Sequence, residues 1–228
     1  MRVEISSLVR SAGATAIYIT HDQAEAFALA DRVGVLEAGR LVQLGAPEEI
    51  YAMPATPFVA RFTGLAAELP VRLASAPTAL GNVSVVPTGL PANRPIEARW
   101  RGVAATSATG TCAIRPTAVR LCGLEGEEHH LAGVVADVAF RGRGYEHAID
   151  LGGSVQVGGV FAEHRVPRGA PVGLRFERAG CHVFPEEPLY ARPTLATARG
   201  EGEPVAAVRV GARRALDSMV DASTEVAL

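Results

Sequence analysis

Ala14-Thr15-Ala16-Ile17-Tyr18-Ile19-Thr20-His21-Asp22-Gln23-Ala24-Glu25-Ala26 is an apolar, β-branched run that ends on Thr-His-Asp and passes into a helical pattern. Apolar on both faces, residues 15–19 read as a central strand of a parallel sheet. That places His21 at the C-terminal end of a buried strand, where open α/β sheets bind ligands. Asp22 reads as the N-cap of the next helix, with Glu25 three residues on in the manner of a capping box. Ala24, Phe27 and Ala28 form the expected buried stripe of that helix.

Working outward, Ile5, Leu8, Val9 and Ala12 fall at helical spacing, with Gly13 as a natural stop. Downstream, Arg32–Leu36 and Leu41–Leu44 flank Glu37-Ala38-Gly39-Arg40, a hairpin with Gly at the left-handed position. Pro47 and Pro57 each start a short helix, and Gly64 ends the second. Beyond Gly64 the pattern changes to short strands separated by turns: 69–73, 84–86, 96–100, 111–114 and 118–122, then 131–140, 145–151, 154–157, 171–176 and 181–184. Strands so spaced predict a small β-barrel or sandwich, and the two series suggest paired halves. After Pro188 the chain is rich in Ala, Gly and Arg, and the spacing predicts a helix over 205–219 within a loose tail.

Composition narrows the function. All 22 basic residues are Arg, with no Lys. A phosphate-cradling P-loop requires its Lys, so this chain does not contain one. The formal net charge of −2 gives no electrostatic case for nucleic acid. Cys112, Cys122 and Cys181 have no disulfide or zinc spacing and suit a reducing cytosol. Glu4 and Arg10 break the first apolar stretch, so it lacks the core of a signal peptide. The longest uncharged run, 73–93, is interrupted by Pro77, Gly81, Pro87, Gly89 and Pro91 and will not cross a bilayer as a helix.

Thr20-His21-Asp22-Gln23-Ala24-Glu25-Ala26 and Leu29-Ala30-Asp31-Arg32 resemble the switch-histidine region of ABC transporter ATP-binding subunits. The likeness continues through Gly39-Arg40, Gln43-Leu44-Gly45-Ala46-Pro47-Glu48-Glu49-Ile50-Tyr51, Pro54 and Phe58-Val59-Ala60-Arg61-Phe62-Thr63-Gly64. It resembles the importer branch handling ferric iron, polyamines, sulfate, phosphonates and sugars, whose subunits carry a C-terminal regulatory domain of the transport-associated OB type. Ala113-Ile114-Arg115-Pro116 is similar to that domain's Arg-Pro signature. Residues 133–140 through Val183-Phe184-Pro185 are similar to its second half.

The resemblance implies an α/β remnant, the C-terminal part of an ABC nucleotide-binding domain, over residues 1–64. An all-β OB-like regulatory barrel follows over 65–186, and then a tail over 187–228. It implies that His21 contacts the γ-phosphate of ATP and the attacking water in a complete subunit, with Mg²⁺ bound nearby, while Asp22 serves as a cap. Arg115 and Pro116 carry over as regulatory-domain signature positions.

Implied partners are transmembrane permease subunits, a second ATP-binding subunit and, indirectly, an extracytoplasmic solute-binding protein. The implied location is cytoplasmic, peripheral on the inner face of the membrane. The family's P-loop, signature motif and Mg²⁺-binding aspartate lie upstream of the switch histidine and are missing here. The chain therefore reads as the C-terminal part of such a subunit, a fragment, a truncated gene or a misplaced start, that does not bind ATP tightly or hydrolyse it alone. A reading of a different class is a non-catalytic module that binds a small anion or holds a dimer.

Two further motifs have plain structural readings. Arg141-Gly142-Arg143-Gly144 is either an anion nest or, more simply, a hairpin turn. Cys112, Cys122, His129 and His130 match no zinc spacing and read as buried thiols and surface imidazoles.

Overall fold

The computed structural model describes residues 11–102, 107–125 and 129–186, and the backbone of 205–210. Two compact units appear: Met1–Pro54 with Gly200–Leu228, and Ala55–Arg199.

The first unit carries strand β1 (Ala16–Thr20), helix α1 (Gln23–Leu29), strands β2 (Arg32–Glu37) and β3 (Arg40–Gly45), and helix α2 (Pro47–Ala52). The β2–β3 turn places Ala38 and Gly39 at φ of 49° and 78°. Two positive φ values in a two-residue loop match the right-handed twist of the flanking strands, which is why Gly stands there. Val33, Val35, Ala26, Leu29 and Ile50 are buried. The buried side of α1 is thus Ala26 and Leu29, while Ala24 and Ala28 are exposed. An alanine-rich helix offers two apolar stripes of similar strength, and periodicity alone does not choose between them.

Strand β14 (Val205–Val210) replaces the helix predicted over 205–219; residues 211–219 lie outside the described residues. It lies between β1 and β2, antiparallel to both, giving the order β1-β14-β2-β3. A gap between two strands presents unpaired amides and carbonyls on both sides, and a Val-rich segment satisfies them better as a strand than as a helix. Among the described residues β1 therefore lies at the edge of its sheet with an antiparallel neighbour, where a central parallel strand was expected. Ile17 and Ile19 are 76% and 66% exposed. The helix expected around Ile5–Ala12 lies, apart from its last turn, outside the described residues.

The second unit opens with helix α3 (Pro57–Phe62), which the sequence pattern alone assigns to the preceding domain. Strands β4 (Ala67–Leu73), β5 (Asn82–Pro87), β6 (Ile96–Trp100) and β7 (Thr109–Ile114) follow, and β13 (Cys181–Pro185) closes them into a barrel in the order β13-β6-β5-β4-β7. A second sheet contains β8 (Val119–Cys122), β9 (Leu131–Phe140), β10 (Tyr145–Asp150), β11 (Gln156–Ala162) and β12 (Pro171–Phe176), in the order β11-β10-β9-β12-β8.

The two strand series are therefore not independent halves. The last strand of the second series closes the barrel of the first, and β8, from the first series, becomes an edge of the second sheet. One core joins them: Leu69, Val71, Val85, Ile96 and Ile114 pack in a single cluster with Leu131, Ile149, Val160 and Leu174. Each such buried aliphatic contributes about 1.5–3 kcal/mol. β7 and β13 approach so closely at Gly110 that a Cβ there would lie 2.4 Å from the Phe184 carbonyl oxygen.

Candidate functional site

His21 occupies the turn between β1 and α1, and its side chain is exposed. The residues on either side of it are linked by hydrogen bonds. The Asp22 N–H donates to Thr20 Oγ1 at 2.9 Å. Thr20 Oγ1 donates to Glu25 Oε2 at 3.1 Å, and the Tyr18 hydroxyl donates to the same oxygen at 3.2 Å. The Glu25 N–H in turn donates to Asp22 Oδ1 at 3.1 Å. Asp22 is thus the N-cap expected from sequence, while the Glu25 carboxylate reaches back to the strand. An imidazole presented this way can donate one hydrogen bond to an oxyanion and accept one from water. The other two sequence-selected positions, Arg115 and Pro116, stand in the second unit.

Arg115 is a buried residue, 1% exposed. Its Nη1 donates to the carbonyl oxygens of Ala60 at 2.9 Å and Gly64 at 2.7 Å. A guanidinium placed there satisfies carbonyls that the end of a helix leaves without intrahelical partners, and its charge complements the negative end of α3. Pro116 opens a short 3-10 turn, Pro116–Ala118, whose first position needs no N–H donor. The Arg-Pro pair therefore fixes the strand exit and helix α3 to the barrel.

Sequence reasoning passed over two histidines that the fold buries. His147 Nδ1 lies 3.3 Å from the Val160 carbonyl oxygen, and Nε2 accepts from the Val166 N–H at 3.1 Å. His182 lies in register with Ala113, on the side of β13 opposite Cys181 and Val183. Its Nδ1 accepts from Arg101 Nε at 3.3 Å. Burial first, and then the neighbouring Arg101, Arg115 and Arg99 cations, lower its pKa to about 3. The strand alternation Cys-His-Val-Phe is the only sequence signal for it, and a lone His in such a pattern does not announce burial on both faces.

The remaining candidates are structural. Arg141–Gly144 is a hairpin turn, with the Arg141 N–H on the Gly144 carbonyl at 2.8 Å and Gly142 at φ 79°. Arg141 pairs with Glu146, and Arg143 lies over the Phe161 ring. Cys112 is in the barrel core, where a hydrogen bond to Cys181 and then burial push its thiol pKa well up. His130 Nδ1 accepts from the Phe176 N–H at 3.0 Å, and burial lowers its pKa.

Residues 112–184 match the TOBE domain family. The match starts in β7 and ends in β13, two strands paired with Cys112 opposite Val183. The chain is 34% identical over 151 residues to a spermidine/putrescine import ATP-binding protein of Acidothermus cellulolyticus, covering 65% of this chain and 38% of that protein. It is 35% identical over 201 residues to a maltose/maltodextrin import ATP-binding protein of Salmonella typhimurium, and 36% identical over 203 residues to that of Escherichia coli K12. Each of these two alignments covers 82% of this chain and 50% of the relative.

The chain corresponds to the C-terminal portion of an ABC importer ATP-binding subunit.

It spans half the length, or less, of these curated relatives. Its fold is an OB-like all-β TOBE barrel after a short α/β region, as the sequence led us to expect. Within this ABC importer portion, no helix of the described residues is long and apolar enough to cross a membrane.

Proposed function

We propose that this chain acts as the switch-histidine and regulatory part of an ATP-binding subunit that energises import of a small polar or charged solute. The observation that carries the reading is the turn at residues 20–22, in which the Thr20 hydroxyl and the Asp22 N–H are hydrogen-bonded to each other across an exposed imidazole. In phosphoryl transfer the protein supplies positioning and charge stabilisation, and His21 has the chemistry to contact a γ-phosphate and its attacking water.

Other requirements of nucleotide chemistry are not met by these residues. His21 offers a single donor to an oxyanion, and the sequence has no Lys for a P-loop. ATP and Mg²⁺ accordingly belong to the complete site, to which this chain contributes His21. Permease subunits, a second ATP-binding subunit and, indirectly, an extracytoplasmic solute-binding protein would be the partners, on the cytoplasmic face of the membrane.

Calorimetric titration of the purified chain with magnesium ATP tests this: no saturable heat is expected. Micromolar or tighter binding would show that a nucleotide site exists without the P-loop and would overturn the reading. Specific uptake of a small anion without nucleotide would instead favour a non-catalytic regulatory module.

A further inference from the structure

We infer that Glu25 is the positioning residue of His21, holding two hydroxyls of β1, one of which in turn holds the Asp22 N–H on the far side of that imidazole. The inference rests on the proposed role of His21 as the group that meets phosphate. A glutamate at the third position of a helix ordinarily returns its carboxylate to the N-cap amide. Here that amide, Asp22 N–H, goes to Thr20 Oγ1, and the Glu25 carboxylate oxygen instead takes the Thr20 and Tyr18 hydroxyls.

The Thr20 hydroxyl is a relay, accepting from residue 22 and donating to residue 25. The Glu25 N–H closes the ring on Asp22 Oδ1. His21 is the one residue of the turn whose side chain takes no part in this ring, and it is exposed. A helix start needs only the Asp22 cap. The extra acceptor fixes where residue 21 sits relative to the strand.

A plain stabilising role for Glu25 makes a different prediction from a positioning role. Favourable interaction with the α1 dipole depends on the carboxylate charge, whereas holding two hydroxyls needs only an acceptor oxygen, which a glutamine retains. In the labelled full chain, Asp22 amide exchange and the order of the His21 ring carbon between its two nitrogens are followed by NMR. Loss of one such hydrogen bond is expected to speed Asp22 exchange about tenfold in Glu25→Ala and in Thr20→Val, with a matching loss of His21 ring order. Glu25→Gln is expected to stay within about twofold of the parent chain while its thermal midpoint falls with the lost charge.

Unchanged exchange and ring order in Glu25→Ala and Thr20→Val, or loss in Glu25→Gln as large as in Glu25→Ala, would overturn the inference. Titration of the parent chain with inorganic phosphate reports separately on His21. A phosphate-dependent shift of its ring signal that Glu25→Ala weakens supports both statements. An ordered ring that ignores phosphate removes the phosphate role and leaves the positioning by Glu25 in place.

Discussion

A buried histidine that refuses a proton couples folding to pH, and His182 is such a residue. Its ordinary pKa is 6.5 and its folded value about 3. Above 6.5 both states are neutral and the group makes no difference. As pH falls from 6.5 toward 3, the unfolded chain takes up a proton that the folded chain excludes, so stability falls, by at most about 1.4 kcal/mol per pH unit. The urea midpoint followed by Trp100, the single tryptophan, is expected to drop between about pH 7.5 and pH 5. In His182→Gln, which keeps an acceptor for Arg101 but does not titrate, that drop is expected to shrink. An equal drop in both chains would assign the acid sensitivity to other groups.

Elements here are held by side chains distant in sequence. Helix α3 has only six residues, too few to be stable by itself. Thr56 caps its start, with the Val59 N–H on Thr56 Oγ1 at 3.2 Å, and Arg115, fifty-five residues away from Ala60, caps its end. Ala60 packs with Ala113 and Phe184. Arg115→Met is expected to cost about 3 kcal/mol in urea unfolding, because it removes two charge-assisted hydrogen bonds and leaves the Gly64 carbonyl without its guanidinium donor, while Ala60 keeps only the longer bond from the Thr63 hydroxyl. The outer pair Arg61–Glu68 is solvent-exposed, and its loss would cost well under about 1 kcal/mol. The contrast explains why α3 belongs to the barrel unit although its sequence motif runs on without a break from the first unit. Proline and capping signals mark where the helix starts and stops, but they carry no information about which core receives it.

At the scale of the whole molecule, each unit is completed by a strand from far along the chain: β13 closes the barrel, and β14 fills the first sheet between β1 and β2. Ending the chain after Arg199 is expected to abolish amide protection along the β14-facing edges of Ala16–Thr20 and Arg32–Glu37. The Trp100-reported unfolding of the barrel should stay unchanged. Hydrogen exchange read residue by residue checks both halves of that statement.

By itself the sequence determined most of the local structure. The hairpin turn at Ala38-Gly39, the prolines opening α2 and α3, and the apolar alternation of the barrel strands are all short-range consequences of backbone sterics and residue size. The strand predicted over 154–157 came out late and long, as 156–162. The observed strand passes through Gly158 and Gly159. The Thr20-His21-Asp22 turn was also legible, because a cap and a β-branched run each leave a local signature.

Only the tertiary structure decided which strands pair, which side of α1 is buried, and that Arg115 caps a helix. It also set the low pKa of His182 and the diversion of the Glu25 carboxylate from its cap to the strand. These features depend on groups distant in sequence competing for the same hydrogen-bond donors, acceptors and buried space. That competition is settled only once the strands have met.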